Sequence, residues 1–146
     1  MRVALDSNVL VYAALEPVSA KGARAAEAIR RASGRGVLAA QTLLEFVAVV
    51  RRRAPHLTGQ AIAQVEAWSA VFEVAPTTNL IAAKALTMVR VHQFQVWDAV
   101  IWSTSRDAGA TLFLSEDLQD GLVLDDMRVV NPFALSEAGI QALLGA

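Results

Sequence analysis

The chain lacks cysteine altogether, which excludes disulfides and thiolate zinc sites and fits a reducing compartment. Its histidines, His56 and His92, are too few for an imidazole-rich metal site, so any metal has to be held by oxygen, as Mg²⁺ or Mn²⁺ prefer. No apolar run reaches the roughly 18–20 residues that a membrane span needs, because Asp6 interrupts the first run and Gln41 and Glu45 the next. Only Arg2 precedes Asp6, so the start does not read as a signal peptide. A net charge of −1 lacks the basic excess of a generic nucleic-acid binder, although acids gathered at one spot would leave the 13 Lys and Arg in excess elsewhere. No Ser-His-Asp arrangement, glycine-rich phosphate loop, dinucleotide fingerprint, internal repeat or linker is present.

What is there is a 146-residue chain, 55% hydrophobic and 18% charged, suited to one folded domain over 1–146. Short apolar runs without polar alternation read as strands buried on both faces, at Val3–Leu5, Val37–Ala40, Val71–Ala75, Ala110–Leu114 and Arg128–Val130. Helical spacing fills the intervals. Ser19 caps a helix from Lys21 to Ser33, and an apolar helix covers Gln41 to Arg53. Others run from Thr58 to about Ala70, from Asn79 to Val91 behind Thr77 or Thr78, from Trp97 to Gly109, and from Ser136 to Leu144. Alternating strands and helices predict an α/β fold: a three-layer α/β/α sandwich on a five-stranded parallel sheet. Leu118–Leu124 is expected to be irregular, and Trp68, Trp97 and Trp102, all in helical segments, to pack in the core or at an interface.

Four separated acids then stand out. Asp6 follows the first strand, at the carboxyl edge where open α/β sheets bind ligands. Asp117 follows the fourth, with Glu116 and Asp120 as neighbours that share its claim. Glu45 sits amid an apolar helix, where a buried carboxylate needs a partner, and Asp98 lies in a helix's first turn. Each has a plainer reading: a cap or turn for Asp6 and Asp117, a solvated stripe for Glu45, dipole stabilisation for Asp98. Arg51-Arg52-Arg53 reads first as positive charge at a helix C-terminus. Convergence of the acids would be costly, since two unit charges 4 Å apart repel by about 4 kcal/mol at an effective dielectric of 20. Bound Mg²⁺ or Mn²⁺ would relieve that repulsion and serve phosphodiester hydrolysis.

The motifs Leu5-Asp6-Ser7-Asn8-Val9-Leu10, Leu44-Glu45-Phe46, Trp97-Asp98-Ala99, Ser115-Glu116-Asp117-Leu118-Gln119 and Val130-Asn131-Pro132-Phe133 resemble, in order and spacing, the PIN domain family, and within it the VapC-type toxin ribonucleases of toxin–antitoxin pairs. The resemblance implies a cytoplasmic prokaryotic endoribonuclease dependent on Mg²⁺ or Mn²⁺. It implies that Asp6, Glu45, Asp98 and Asp117 are the catalytic, metal-holding quartet, with Asn8 and Ser115 as accessory polar residues. It further implies an RNA substrate, a homodimer, and a cognate antitoxin whose tail blocks the acidic pocket. Arg51, Arg52 and Arg90 are candidate RNA-backbone contacts. Two other readings stand beside it: another metal-dependent phosphoesterase on the same fold, and a non-catalytic binding module.

Overall fold

The computed structural model describes residues 1–145. Strands β1 (Val3–Leu5), β2 (Gly36–Ala39), β3 (Glu73–Ala75) and β4 (Leu112–Leu114) are followed by β5 (Val123–Leu124) and β6 (Met127–Val130). Helices α1 (Ser7–Leu15) and α2 (Ala20–Ala32) link β1 to β2, and α3 (Ala40–Arg53) and α4 (Thr58–Val71) link β2 to β3. Helices α5 (Asn79–His92) and α6 (Val96–Asp107) lead to β4, and α7 (Glu137–Leu144) closes the described chain. No helix among the described residues is long and apolar enough to cross a membrane.

The sheet runs β3-β2-β1-β4-β6-β5. Five strands are parallel, as the sequence predicts, and β5 is a sixth that returns antiparallel on β6. Leu124 pairs with Met127 around Asp125 and Asp126, both at positive φ (50° and 67°), as tight hairpin loops require. This corrects the irregular assignment of Leu118–Leu124. A two-residue strand has no alternation to read, and its turn uses Asp-Asp where Asn-Gly is the usual signal. The predicted strand Val71–Ala75 also shortens, because Val71 completes α4 and its C-cap Phe72 turns extended before β3.

Strand period explains the layers. Val3, Leu5, Leu38, Leu112 and Leu114 face one core with Phe46 and Trp68, against α1–α4 and α7. Ala4, Val37, Ala39 and Phe113 face the other, against α5 and α6. There Trp102 is almost fully buried, its ring 5.4 Å from Phe113 and 5.8 Å from Phe94. Trp68 packs edge-on to Phe46. Trp97 is not part of either core: it is 54% exposed beside Asp98, which leaves only the interface half of the core-or-interface expectation.

Because β1 lies between β2 and β4, the chain leaves β1 for one side and later returns on the other. That reversal makes the carboxyl ends of β1 and β4 the edge where a cleft opens. The Asp6 amide donates to the Leu114 carbonyl at 3.0 Å, and the Ser115 amide to the Val130 carbonyl at 3.1 Å, so the sheet pairing fixes both residues at that edge.

The α1–α2 corner depends on Gly22. Its amide donates to Ser19 Oγ, and a side chain there would collide with the Glu16 carbonyl oxygen, which is backbone and has nowhere to go. Gly22→Ala is therefore expected to destabilise the chain by about 3 kcal/mol, measured by urea denaturation, as overpacking against backbone does.

Candidate metal centre at the carboxyl edge of the sheet

Asp6 caps α1, and with only 3% of its surface exposed it is among the few buried charged or polar side chains. One carboxylate oxygen, Oδ1, accepts from the Ser7 amide at 2.8 Å. The other, Oδ2, accepts from the Ser115 hydroxyl at 2.7 Å and from Asn8 Nδ2 at 3.3 Å. Burial pushes its pKa up from 3.8 to about 7, against the lowering effect of the Ser115 and Ser7 hydrogen bonds, with the fields of Asp98 and Asp117 adding to the rise. The cap reading of Asp6 is thus true, but a cap alone needs neither burial nor two acidic neighbours.

Asn8 joins the two strand ends. Its Nδ2 group also lies 3.1 Å from Ser115 Oγ and 3.2 Å from Asp117 Oδ2, so two protons serve three acceptors, while its Oδ1 accepts from the Glu116 amide. Ser115 Oγ accepts from the Asp117 amide at 3.0 Å, which turns the loop after β4 back toward Asp6. Asp117 itself is exposed.

Glu45 and Asp98 approach from the helices. Glu45 is half-buried on α3 and accepts from the Ser7 hydroxyl at 3.1 Å. Asp98 is half-buried in the first turn of α6. Its pKa is raised by burial, then by the charges of Asp117 and Glu45. All four acids therefore feel one another, directly or through a shared neighbour. Among the described residues, none of the four forms a salt bridge with a Lys, Arg or His.

The two rivals of Asp117 are engaged elsewhere. Glu116 accepts from Tyr12 Oη at 2.7 Å and Lys21 Nζ at 2.9 Å, and Asp120 accepts from the Asn131 amide at 2.8 Å. Asp117 is left as the acid of this loop that meets the edge, through Asn8 Nδ2.

The donor set fits a hard divalent ion: oxygen only, with net negative charge that the chain does not compensate. Among the described residues, no three acids or histidines are arranged to enclose an ion. An ion at this edge would therefore take one or two of the carboxylates directly and reach the others through its waters.

A pocket of about 200 Å³ adjoins the acids, lined by Ser7, Asn8, Val11, Tyr12, Val49, Arg53, Glu116 and Asp117. Arg51, Arg52 and Arg90 are exposed and none of them lines it. Sequence reasoning missed Ser7, Tyr12, Lys21 and Arg53 as parts of this edge. Ser7 stood between two chosen residues, and Arg53 lies two i→i+4 steps from Glu45 on one helix stripe.

The sequence matches the PIN domain family model over residues 3–119. This chain belongs to the PIN domain family. Among solved structures, this PIN domain is similar to VapC20 of Mycobacterium tuberculosis, a sarcin–ricin loop cleaving toxin, with TM-score 0.65 and 18% identity over 76% of this chain and 86% of that one. It is similar to a toxin–antitoxin complex from Klebsiella pneumoniae, with TM-score 0.68 and 15% identity over 89% and 97%. A DNA-bound VapBC from Salmonella typhimurium gives TM-score 0.63 and 14% identity over 88% and 96%. At these identities the likeness is one of fold. A search of curated proteins returns no significant match.

The raised pKa of Asp6 has a sign that stability measurements read. The folded chain keeps a proton on Asp6 that the unfolded chain has lost, between pH about 4 and about 7. Asp6 therefore withdraws stability as pH rises through that window. In EDTA, Asp6→Asn is expected to gain on the wild type by up to about 4 kcal/mol between pH 4 and 8, followed by urea denaturation at each pH. A pH-independent difference would place Asp6 in a solvated setting.

Proposed function

We propose that this PIN domain is a divalent-metal-dependent endoribonuclease and the toxin of a type II toxin–antitoxin pair. The observation that carries the reading is the set of four carboxylates at the sheet edge, Asp6, Glu45, Asp98 and Asp117, whose charges act on Asp6 and Asp98 and which, among the described residues, form no salt bridge with the chain's own cations. Family membership and the fold shared with VapC20 and VapBC support it.

These acids would hold Mg²⁺ or Mn²⁺, which when bound supplies a water of lowered pKa and counter-charge for the phosphoryl oxygens. The chain's own residues do the rest. Asn8 and Ser115 hold Asp6 and Asp117 in fixed relation, so the edge needs little rearrangement on binding. Burial raises the pKa of Asp6, so a cation held there would displace its proton and metal affinity would rise with pH around neutrality. Glu45 and Asp98, half-buried on α3 and α6, would complete the acidic set around the ion. An RNA substrate, a homodimer, a prokaryotic cytoplasmic setting and a cognate antitoxin belong to the same proposal. The similar folds from Klebsiella and Salmonella are those of toxin–antitoxin assemblies.

The test is cleavage of a panel of RNA, single-stranded DNA and small phosphate esters, with Mg²⁺, Mn²⁺ or EDTA. RNA cleavage that EDTA abolishes is expected, reduced at least about 100-fold in Asp6→Asn and Asp98→Asn. Full activity in both variants would remove the reading, and cleavage of DNA or esters alone would replace the substrate. Saturating Mg²⁺ is expected to stabilise the wild type by about 2.7 kcal/mol at 100 times its dissociation constant. A chain that keeps the fold only for protein contacts would show no such gain.

A further inference from the structure

The pocket beside Asp117 contains a cation that no other contact uses. Arg53, in the last turn of α3, lines it and forms no salt bridge among the described residues. The other charges on the pocket wall are Glu116, already neutralised by Lys21 at 2.9 Å, and Asp117 of the acid edge. Lys21 is in turn fixed, its Nζ 4.9 Å above the Tyr12 ring and 3.3 Å from the Tyr12 hydroxyl. So the pocket's one uncommitted positive charge is the guanidinium.

Its position follows from the helix. Glu45, Val49 and Arg53 are spaced four apart and share one stripe of α3, which leads from the acid edge along the pocket wall. The two ends of that stripe are about 12 Å apart along the axis. A favourable helix dipole accounts for Arg51, Arg52 and Arg53 alike. It gives no reason for Arg53 alone among them to join apolar Val11 and Val49 around a cavity.

We propose that Arg53 binds a backbone phosphate of single-stranded RNA next to the scissile one, with Val11 and Val49 as the apolar wall for the adjoining nucleoside. The proposal rests on the ribonuclease reading of the acid edge. A guanidinium suits it because its planar fork meets phosphate oxygens two at a time. Single strands suit it because unstacked nucleotides enter side pockets that a duplex does not.

The experiment measures binding of a labelled single-stranded RNA by fluorescence anisotropy in EDTA across a salt series, then steady-state cleavage with Mg²⁺. It compares the wild type with Arg53→Ala, Arg53→Lys and, as a control, Lys84→Ala, whose ammonium pairs with Asp107 at 3.1 Å at the far end of α6. Thermal melts establish that each variant is folded. Arg53→Ala is expected to lower the slope of log affinity against log salt by about 0.7, the share of one phosphate on a single strand. It is expected to raise KM about tenfold while kcat stays within about threefold, the pattern of lost uniform binding. Arg53→Lys keeps the slope, and Lys84→Ala matches the wild type. An Arg53→Ala protein with wild-type slope and KM overturns the contact while leaving the nuclease reading intact. RNA binding with an Arg53-dependent slope but no cleavage overturns the nuclease and leaves the contact standing. A wild type that binds no RNA overturns the contact as well.

Discussion

A carboxylate buried at the end of the central strand is the constraint around which the edge is built. Val3, Ala4 and Leu5 have no exposed surface, so the residue that follows them cannot swing out to water. That residue is Asp6, pinned by its amide to the Leu114 carbonyl. Ionising it there costs about 4 kcal/mol more than in water, comparable to much of a domain's net stability. Ser7, Asn8 and Ser115 all aim protons at it, yet its pKa still rises. Hydrogen bonds alone do not offset the burial; a retained proton, or a cation bound at the edge, would.

The treatment of acids elsewhere sharpens the contrast. Glu27 is met by Arg30 and Arg31, Glu73 by Arg2, Asp107 by Lys84, and Glu116 by Lys21 with Tyr12. The two arginines hold the Glu27 carboxyl down to about 2. Among the described residues, Asp6, Glu45, Asp98 and Asp117 form no such pair, and what distinguishes them from other unpaired acids such as Glu66 or Glu137 is that their charges act on one another at one edge. The Lys21–Glu116 pair also keeps Glu116 away from the edge, which leaves Asp117 as the acid that the loop after β4 presents.

Much of this was readable in advance, and the physical reasons are specific. Buried parallel strands are short apolar runs, so β1, β2, β4 and β6 announced themselves, and Ser19, Thr78 and Ser136 cap helices as their chemistry predicts. Asp6 and Asp117 could be placed together because they follow strands that end at one edge, whereas Asn8 and Ser115 entered only through the family motif. The hairpin strand β5 was hidden, since two residues carry no period and its turn relies on two aspartates in the left-handed region. Tyr12 and Lys21 were hidden for a different reason: they meet Glu116 across 104 and 95 residues of chain, a distance no local pattern encodes. The arginine on the pocket differed from its neighbours only by helical phase, which composition conceals.

The claim that the four acids share a divalent cation is tested most directly by titrating Mn²⁺ into the protein calorimetrically near pH 7, in buffers of different ionisation enthalpy. The account requires saturable binding that releases protons near pH 7 and fewer at about pH 8.5, because burial raises the pKa of Asp6 in the free chain. It also requires that Asp6→Asn abolish the proton release and weaken binding. Binding without proton release, or binding that Asp6→Asn leaves unchanged, would contradict it.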